Sequence, residues 1–203
     1  MGTGNIIILG GGESGVGAAV LARTKGYDVF VSDNNRIKDK YKDVLSQFDI
    51  DYEEGKHSVR RILRAQEVIK SPGIPEDAPL VAELRGKGVP VISEIEFAWR
   101  HSWAKMVCIT GSNGKTTTTL LTHHILATAG LDVAVAGNVG NSFAWELAKQ
   151  DHDYFVLEIS SFQLDGMFDF RADIAVLLNI TPDHLDRYGN SFEAYAGSKF
   201  RII

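Results

Sequence analysis

Short apolar runs alternate with amphipathic stretches along the whole chain. The runs have the length and composition of buried strands, and they lie at residues 5–9, 28–32, 67–70, 89–92, 105–110, 132–136, 154–157 and 174–178. Apolar positions at three-to-four spacing predict helices between them, at residues 16–25, 37–48, 59–65, 77–87, 93–100, 115–129, 141–149 and from 192 onward. Strands that alternate with helices form parallel sheets with helices on both faces. We therefore predict an α/β fold.

Residues 101–104, His-Ser-Trp-Ala, interrupt this alternation and show no periodicity. We place a domain boundary there, with a Rossmann-like parallel-sheet domain in residues 1–100 and a second α/β domain in residues 101–203. The second domain stops within a predicted helix. We expect it to be truncated, with an exposed sheet edge that favours association.

The strand at 105–110 is followed by a glycine turn and by a Lys-Thr pair that opens the next helix. Glycines let backbone N–H groups approach an anion closely, and the helix N-terminus adds unpaired donors and partial positive charge. Lys115 can neutralise β- and γ-phosphates, and Thr116 can offer its hydroxyl to Mg²⁺. The pattern predicts a P-loop ATPase-type domain. The match is incomplete, because Ile109 stands at the first glycine position, so a capped helix with an exposed lysine is the alternative.

A second glycine cluster, at residues 10–15, follows the first strand, and Asp33 closes the second strand. Together they match the dinucleotide-binding fingerprint, although the geometry requires only a phosphorylated ligand on a helix N-terminus. Another phosphate-bearing ligand, NAD and a purely structural turn are all compatible with it. Ser71-Pro72-Gly73 also follows a strand, at the end where ligands bind in such sheets, and its alternative is a plain turn.

Two chemically active side chains lie at strand ends of the second domain. Glu158 closes the strand at 154–157, which is where a carboxylate linked to Mg²⁺ belongs beside a phosphate loop. A buried unpaired carboxylate is costly, so we expect Glu158 to have a partner. His184 follows the strand at 174–178 between two aspartates. We expect a metal or substrate role for it, although a lone histidine is usually structural.

The composition narrows the function classes. The net charge of −5 excludes a broad basic face of the kind that binds nucleic acid. Hydrophobic residues make up 44% of the chain, as in an ordinary globular core, but no apolar run approaches the roughly 20 residues of a membrane span. The single cysteine, Cys108, is expected to be a small buried hydrophobe. We expect a cytoplasmic protein without nucleic-acid or membrane partners.

Three runs in the second half resemble the Mur ligase family. They are Gly-Ser-Asn-Gly-Lys-Thr-Thr at 111–117, Glu-Ile-Ser-Ser-Phe-Gln-Leu at 158–164 and Asp-His-Leu-Asp-Arg-Tyr at 183–188. The phosphate loop of that family lacks the first glycine, as it does here. The resemblance extends from Gly10 to Lys199 and implies a UDP-binding domain, a central ATPase domain and a third domain, absent here, that helps to bind ATP and the incoming amino acid.

The resemblance also implies roles for individual residues. The UDP-linked substrate would be held by Glu13, Ser14, Asp33, Asn34, Ser71, Pro72 and Gly73, with Asn138 and His184 on its sugar-peptide part. Asn34 departs from the family, which often has Thr at that position. ATP would be held by Gly111, Ser112, Asn113, Gly114, Lys115, Thr116 and Thr117. The implied metal ligands are Thr116, Glu158, His184 and a carbamylated Lys199, and the implied catalytic residues are Lys115, His184 and Lys199. By its position alone, Lys199 is an exposed helix lysine.

The implied reaction is ATP-dependent formation of an amide bond. A substrate carboxylate attacks the γ-phosphate of ATP, and an amine then attacks the resulting acyl phosphate and releases phosphate. The run after Glu158 is most similar to the branch that adds D-glutamate to UDP-N-acetylmuramoyl-L-alanine. The implied partners are therefore these two compounds and ATP, with Mg²⁺ as cofactor. We expect a monomer at full length and no product from these 203 residues alone.

Three other functions stay open. An NAD-dependent oxidoreductase built on residues 10–15 would leave Lys115, Glu158 and His184 unexplained. A nucleotide-binding regulatory module would not need Glu158, His184 and Lys199 together. Another Mur ligase with a different amino-acid substrate is disfavoured by the Ser-Ser-Phe-Gln run, but the domain that reads the amino acid lies outside this sequence.

Overall fold

A computed structural model describes residues 4–203, which form two parallel sheets, one after the other along the chain. The first has strand order β3-β2-β1-β4-β5, with β1 to β5 at Asn5–Leu9, Asp28–Asp33, Asp51–Glu54, Glu67–Lys70 and Val91–Ser93. The second has strand order β7-β8-β6-β9, with β6 to β9 at Lys105–Thr110, Val133–Gly137, Tyr154–Glu158 and Ile174–Leu177. Neighbouring strands pair in parallel in both sheets. The predicted α/β class is confirmed.

Helices connect the strands throughout. In chain order, α1 to α9 are Glu13–Thr24, Asp39–Gln47, Val59–Ile62, Pro79–Gly86, Glu94–Trp99, Lys115–Thr128, Phe143–Lys149, Ser161–Leu164 and Phe192–Phe200, and a 3₁₀ turn lies at Leu185–Tyr188. Within residues 4–203, none of these helices has the length and apolar character that crossing a bilayer would need.

Three elements were not expected from the sequence: β3, α8 and the 3₁₀ turn at Leu185–Tyr188. Strand β3 is Asp-Tyr-Glu-Glu at the sheet edge, where half-exposed polar residues give no apolar alternation to detect. Helix α8 is a single turn held by a reciprocal cap: the Ser160 hydroxyl accepts from the Gln163 N–H, and the Gln163 side chain accepts from the Ser160 N–H. Such a capping box stabilises a turn too short to show a period.

Helix α1 is buried along most of its length between the first sheet and α7. Its residues from Gly15 to Ala22 are all buried, and most are glycine or alanine. Small side chains let two helices approach closely: a Cβ added at Gly17 would lie 2.4 Å from Ser142 Oγ and 3.0 Å from Trp145 Cβ of the second sheet's segment. The low side-chain volume of α1 therefore sets the distance between the two halves of the chain.

One apolar core crosses between the two sheets. It includes Ile8 and Leu21 from the first half and Met106, Phe143 and Phe155 from the second, all buried. The change of sheet lies between the end of β5 and the start of β6, around the predicted boundary. Because the core is shared, we expect the two sheets to unfold together. The division into domains at residues 1–100 and 101–203 stays a prediction.

Helix α5 strengthens this junction with two buried carboxylates. Glu96 Oε2 accepts the N–H groups of Phe168, Asp169 and Phe170 at 2.9, 3.2 and 3.0 Å. Glu94 accepts from the Ala144 N–H at the start of α7. Complete burial raises the pKa of Glu94 to about 8, with a smaller contribution from the nearby Glu13 carboxylate. Both acids tie residues of the first half to backbone groups of the second.

Helix α6 has the predicted position, but its predicted apolar face is not covered by residues 4–203. Leu120, Leu121 and Ile125 are 45%, 55% and 56% exposed, and only Leu126 packs against a core cluster. Strand β9 lies at the edge of the second sheet, and Ile174 there is 55% exposed. The expected open edge is therefore present. Cys108 is buried, as predicted.

We predict that Gly17→Ala lowers the free energy of unfolding by about 1–3 kcal/mol, because the added methyl group overpacks the contact between α1 and α7. Gly197→Ala is the matched control, since Gly197 lies within α9 and its Cβ would meet nothing within 4 Å. Alanine loses less conformational freedom than glycine on folding, so this control should raise the free energy of unfolding by about 0.5–1 kcal/mol. Urea denaturation measures both variants, and a Gly17→Ala variant as stable as Gly197→Ala would contradict the packing argument.

Candidate active site

The pairing register brings the functional strand ends together within each sheet. In the first sheet, Leu9 at the end of β1 is paired with Ser32 and Lys70 on its two sides. In the second, Glu158 is paired with Ile109 before the phosphate loop and with Gly137 at the end of β7. Parallel strands place their following loops at one edge. The predicted site residues therefore form two groups, one at each sheet's carboxyl edge.

The glycine turn before α6 has the backbone shape that the sequence predicts. Gly114 precedes the helix with φ +83°, in the left-handed region that favours glycine. Asn179, just after β9, clamps the turn: its Oδ1 accepts the Asn113 N–H at 2.9 Å, and its backbone carbonyl accepts the Ser112 N–H at 3.0 Å. The sequence reasoning missed Asn179, because the contact joins residues that are far apart along the chain.

Ser112, which is predicted to bind ATP, makes contacts inside the protein that shape the turn. Its hydroxyl donates to the Thr181 carbonyl at 2.9 Å and lies 2.8 Å from the Tyr195 hydroxyl, while its backbone N–H is used by Asn179. The side chain is buried. Both donors of Ser112 therefore serve to shape the turn and to link it to α9.

Two lysines converge on the same turn. Lys115 Nζ donates to the Ser112 carbonyl at 3.0 Å, and Lys199 Nζ donates to the Gly111 carbonyl at 2.8 Å. Lys199 is only 2% exposed, so the expectation of an exposed helix lysine was wrong: α9 packs this face inward. Burial, together with the Lys115 charge, lowers the pKa of Lys199 to about 8. The turn thus carries two ammonium groups where an anion would bind.

Glu158 has the partners that its burial requires. Its Oε2 accepts the Thr116 hydroxyl at 2.7 Å, and its Oε1 accepts the Asn138 amide at 2.7 Å. The carboxylate is 2% exposed. The expectation of a partnered carboxylate is confirmed, and Asn138, predicted to contact the substrate, also orients this acid.

A cavity of about 130 Å³ in the second half is lined by all three predicted catalytic residues, Lys115, His184 and Lys199. Its wall is made by the predicted residues and by neighbours that sequence reasoning left without a role: Lys115, Asn138, Ser160, Ser161, Phe162, Asp183, His184, Tyr195 and Lys199. His184 has φ +49° and a side chain that is 61% exposed, with Nε2 3.7 Å from an Asp183 oxygen. Its ring centroid lies 5.5 Å from that of Phe162. His184 therefore faces this cavity from an unusual backbone conformation.

The predicted UDP residues lie at the edge of the first sheet and do not line this cavity. The Asp33 carboxylate accepts the Gly11 N–H at 2.7 Å, and the Ser71 hydroxyl donates to the Gly10 carbonyl at 3.4 Å. The loops after β1, β2 and β4 are thus joined. Asn34 and Gly73 are exposed, and Ser14 and Pro72 are half-buried.

Glu13, predicted to hold the UDP-linked substrate, also makes a contact that the sequence did not predict. Its carboxylate accepts the Ser142 N–H at 2.7 Å, across the junction between the two sheets. Because the Glu13 carboxylate, at the start of α1, accepts an N–H group at the start of α7, this side chain stabilises the junction in addition to its predicted role at the glycine cluster.

Oxygen donors suited to a divalent cation come from two residues beside the phosphate loop. Within residues 4–203, no cluster of three or more His, Cys, Asp or Glu side chains has the arrangement of a complete metal site. Mg²⁺ usually takes one or two carboxylates and completes its shell with waters and substrate phosphates. The Thr116 hydroxyl and the Glu158 carboxylate fit that requirement, because they lie next to each other. The other two predicted metal ligands, His184 and Lys199, line the cavity instead, and their metal role stays a prediction.

Comparisons with known protein families match both halves. Residues 5–80 match the family model for the MurD N-terminal domain, and residues 109–203 match that for the Mur ligase middle domain. The UDP-N-acetylmuramoylalanine–D-glutamate ligase of Bacteroides fragilis is 62% identical over 197 residues, which is 97% of this chain and 44% of that protein. The corresponding protein of Porphyromonas gingivalis is 59% identical, with 98% and 44% coverage. The chain spans less than half the length of these relatives.

Solved structures show the same fold. The UDP-N-acetylmuramate–alanine ligase of Thermotoga maritima matches with a TM-score of 0.62 and 23% identity, over 98% of this chain and 46% of that one. A UDP-N-acetylmuramate:L-alanyl-γ-D-glutamyl-meso-diaminopimelate ligase from Neisseria meningitidis matches with a TM-score of 0.61 and 20% identity, over 100% and 69%.

We predict that Lys199→Met raises the free energy of unfolding at pH 7 by about 1–2 kcal/mol, because it removes a buried ammonium group. The folded pKa of Lys199 is about 8, below its usual 10.5. Below pH 8 the buried ammonium group therefore lowers the free energy of unfolding by its full amount, and this destabilisation disappears as the pH rises toward 10.5.

Urea denaturation at pH 7 and pH 10, in bicarbonate-free buffer, measures this difference. Lys149→Met is the control, since the Lys149 side chain is 52% exposed and should change stability little. If the difference in free energy of unfolding between wild type and Lys199→Met were as large at pH 10 as at pH 7, the assignment of a buried ammonium group would be contradicted.

Proposed function

Because this chain belongs to the Mur ligase family, we propose that it forms the UDP-substrate and ATP-binding parts of an ATP-dependent ligase that adds D-glutamate to UDP-N-acetylmuramoyl-L-alanine. The observation that carries the proposal is the Thr116–Glu158 hydrogen bond beside a turn that gathers Lys115 and Lys199. We assign residues 1–100 to the UDP-linked substrate and residues 101–203 to ATP. The remaining length of the relatives would supply the rest of the enzyme.

The chemistry explains why the site concentrates positive charge. A carboxylate is a poor acyl donor at neutral pH, so ATP supplies a leaving group by phosphorylating it. In that step an anionic oxygen attacks a polyanionic phosphate, and like charges must be offset. Lys115 and the N-terminus of α6 face the phosphates in this proposal. A Mg²⁺ ion held by Thr116 and Glu158 would neutralise further phosphate charge.

The second step forms the amide bond. The amine of D-glutamate attacks the acyl carbonyl, a tetrahedral intermediate forms, and phosphate leaves with the oxygen it received. We propose that Asn138 and His184 hold the sugar-peptide part of the substrate so that its carboxylate reaches the γ-phosphate, and both line the cavity. In keeping with the family, we also propose that Lys199 carries a carbamate: its Nζ would first lose the ammonium proton, then bond to CO₂ and release a second proton, which leaves an anionic group.

An NAD-dependent oxidoreductase is the second candidate function, and the glycine cluster at residues 10–15 is the feature that supports it. It would leave unexplained why Thr116, Glu158 and Asn138 form one hydrogen-bonded unit beside the phosphate loop. A hydride-transfer enzyme needs no such unit.

We predict that the 203-residue chain binds UDP-N-acetylmuramoyl-L-alanine and does not bind NADH. The loops at Gly10–Ser14 and Ser71–Gly73 meet at the edge where a phosphorylated ligand is expected. Isothermal titration calorimetry with each compound in parallel measures both affinities. Binding of NADH alone would contradict the ligase assignment and favour the oxidoreductase.

We predict that Lys115→Ala weakens binding of the non-hydrolysable ATP analogue AMP-PNP, with Mg²⁺, by about 10- to 100-fold, the value of one charge-assisted contact. The same calorimetric titration measures this affinity. Lys149→Ala is the control, because Lys149 pairs with Glu146 on the exposed side of α7. Equal affinities of wild type and Lys115→Ala would contradict the role of Lys115.

A further inference from the structure

One side chain joins the loop after β4 of the first sheet to the turn that follows β9 of the second. Arg187, in the 3₁₀ turn, donates from Nη2 to the Pro72 carbonyl at 3.3 Å and from Nη1 to the Gly73 carbonyl at 3.5 Å. These distances are at the long end of the hydrogen-bond range, but the donor is charged and reaches two acceptors with one planar fork. The contact spans more than 110 residues of sequence.

A second cation contacts the same loop. Lys70, 4% exposed, donates to the Ile74 carbonyl at 2.6 Å and lies 3.5 Å from the Ser71 carbonyl. Burial lowers the pKa of Lys70, and the nearby Arg187 charge acts in the same direction, while Glu76 opposes both. All four successive carbonyls of the loop, at residues 71–74, therefore point to cations. The loop's conformation depends on where these two cations lie.

The other end of Arg187 is connected to His184. The Arg187 backbone N–H donates to the His184 carbonyl at 3.1 Å, so both residues belong to one turn. The Arg187 guanidinium lies 4.4 Å from the Phe162 ring centroid, and the rings of His184 and Tyr188 lie 5.5 and 6.0 Å from the same centroid. His184 has a mostly exposed side chain, so the turn and Phe162 set where its ring lies.

We propose that Arg187 is a positioning residue that couples the Ser71–Gly73 loop to His184, with Phe162 as the contact between them. Ligand binding at the loop moves the Pro72 and Gly73 carbonyls, the guanidinium follows them, and the shared turn and the Phe162 ring reorient His184. This also gives Phe162, the aromatic residue of the Ser-Ser-Phe-Gln run, a physical role. The proposal rests on the proposed function for the identity of the loop's ligand, but the coupling itself does not need that ligand to be observed.

The first test uses the unliganded 203-residue chain. Hydrogen exchange of the Ile74 and Arg187 amides reports the loop and the turn, since each N–H closes a turn there. Arg187→Met keeps the apolar stem and removes the fork. We expect both amides to exchange roughly 10-fold faster in this variant, the effect of losing a charge-assisted hydrogen bond. Arg171→Met is the matched control, because Arg171 also donates to two backbone carbonyls, but only to near neighbours in sequence. Faster exchange at Arg187 alone, with Ile74 unchanged, would overturn the coupling.

The second test adds UDP, which has the part proposed to bind the Ser71–Gly73 loop and lacks the sugar-peptide part that His184 is proposed to hold. It follows the His184 imidazole signal by NMR, assigned by comparison with His184→Asn. In wild type and Arg171→Met the signal should shift on binding, and in Arg187→Met the shift should be lost even when the ligand is saturating. Arg187→Lys keeps the charge without the fork and should restore only part of the shift. A full shift in Arg187→Met would overturn the proposal. Failure of the ligand to bind wild type would instead overturn the proposed function and leave the exchange test to decide the coupling.

Discussion

The close approach of α1 to α7 is the contact on which the rest of the molecule depends. Glycine and alanine along α1 allow the two helices to meet, and one apolar core then continues from the first sheet into the second. Glu96 and Glu94 add hydrogen bonds to backbone groups across the same junction. Because neither sheet is free to reorient without breaking this core, the loops at their two edges are held in a fixed relation.

That fixed relation matters because the proposed reaction needs two ligands to meet. The UDP-linked substrate and ATP would bind to different loops, and bringing reacting groups together supplies much of the rate enhancement in such reactions. Cations recur where the loops face each other: Lys115 and Lys199 on the phosphate turn, and Lys70 and Arg187 on the loop after β4. Their backbone contacts shape the loops, and the charge of Lys115 suits an anionic ligand.

Local sequence patterns predicted most elements of this fold, since buried parallel strands and helix caps have strong local signals. Strand β3 was not predicted, because its polar residues lie at a sheet edge and show no apolar alternation. Helix α6 was predicted correctly, although its apolar face is exposed. At the site, the glycine turn, Thr116 and Glu158 were predictable from spacing and strand ends. The burial of Lys199 and the clamp by Asn179 were not, because both depend on contacts between residues far apart in the chain.

A crystal structure of this chain with Mg²⁺, ADP and UDP-N-acetylmuramoyl-L-alanine would test the central claim most directly, that the two sheet edges hold two different phosphorylated ligands. The account predicts ADP phosphates at the turn before α6, with Mg²⁺ between them and the oxygens of Thr116 and Glu158. It predicts the UDP group on the loops that contain Gly10–Ser14 and Ser71–Gly73. ADP bound at Gly10–Ser14, with nothing at Lys115, would contradict it.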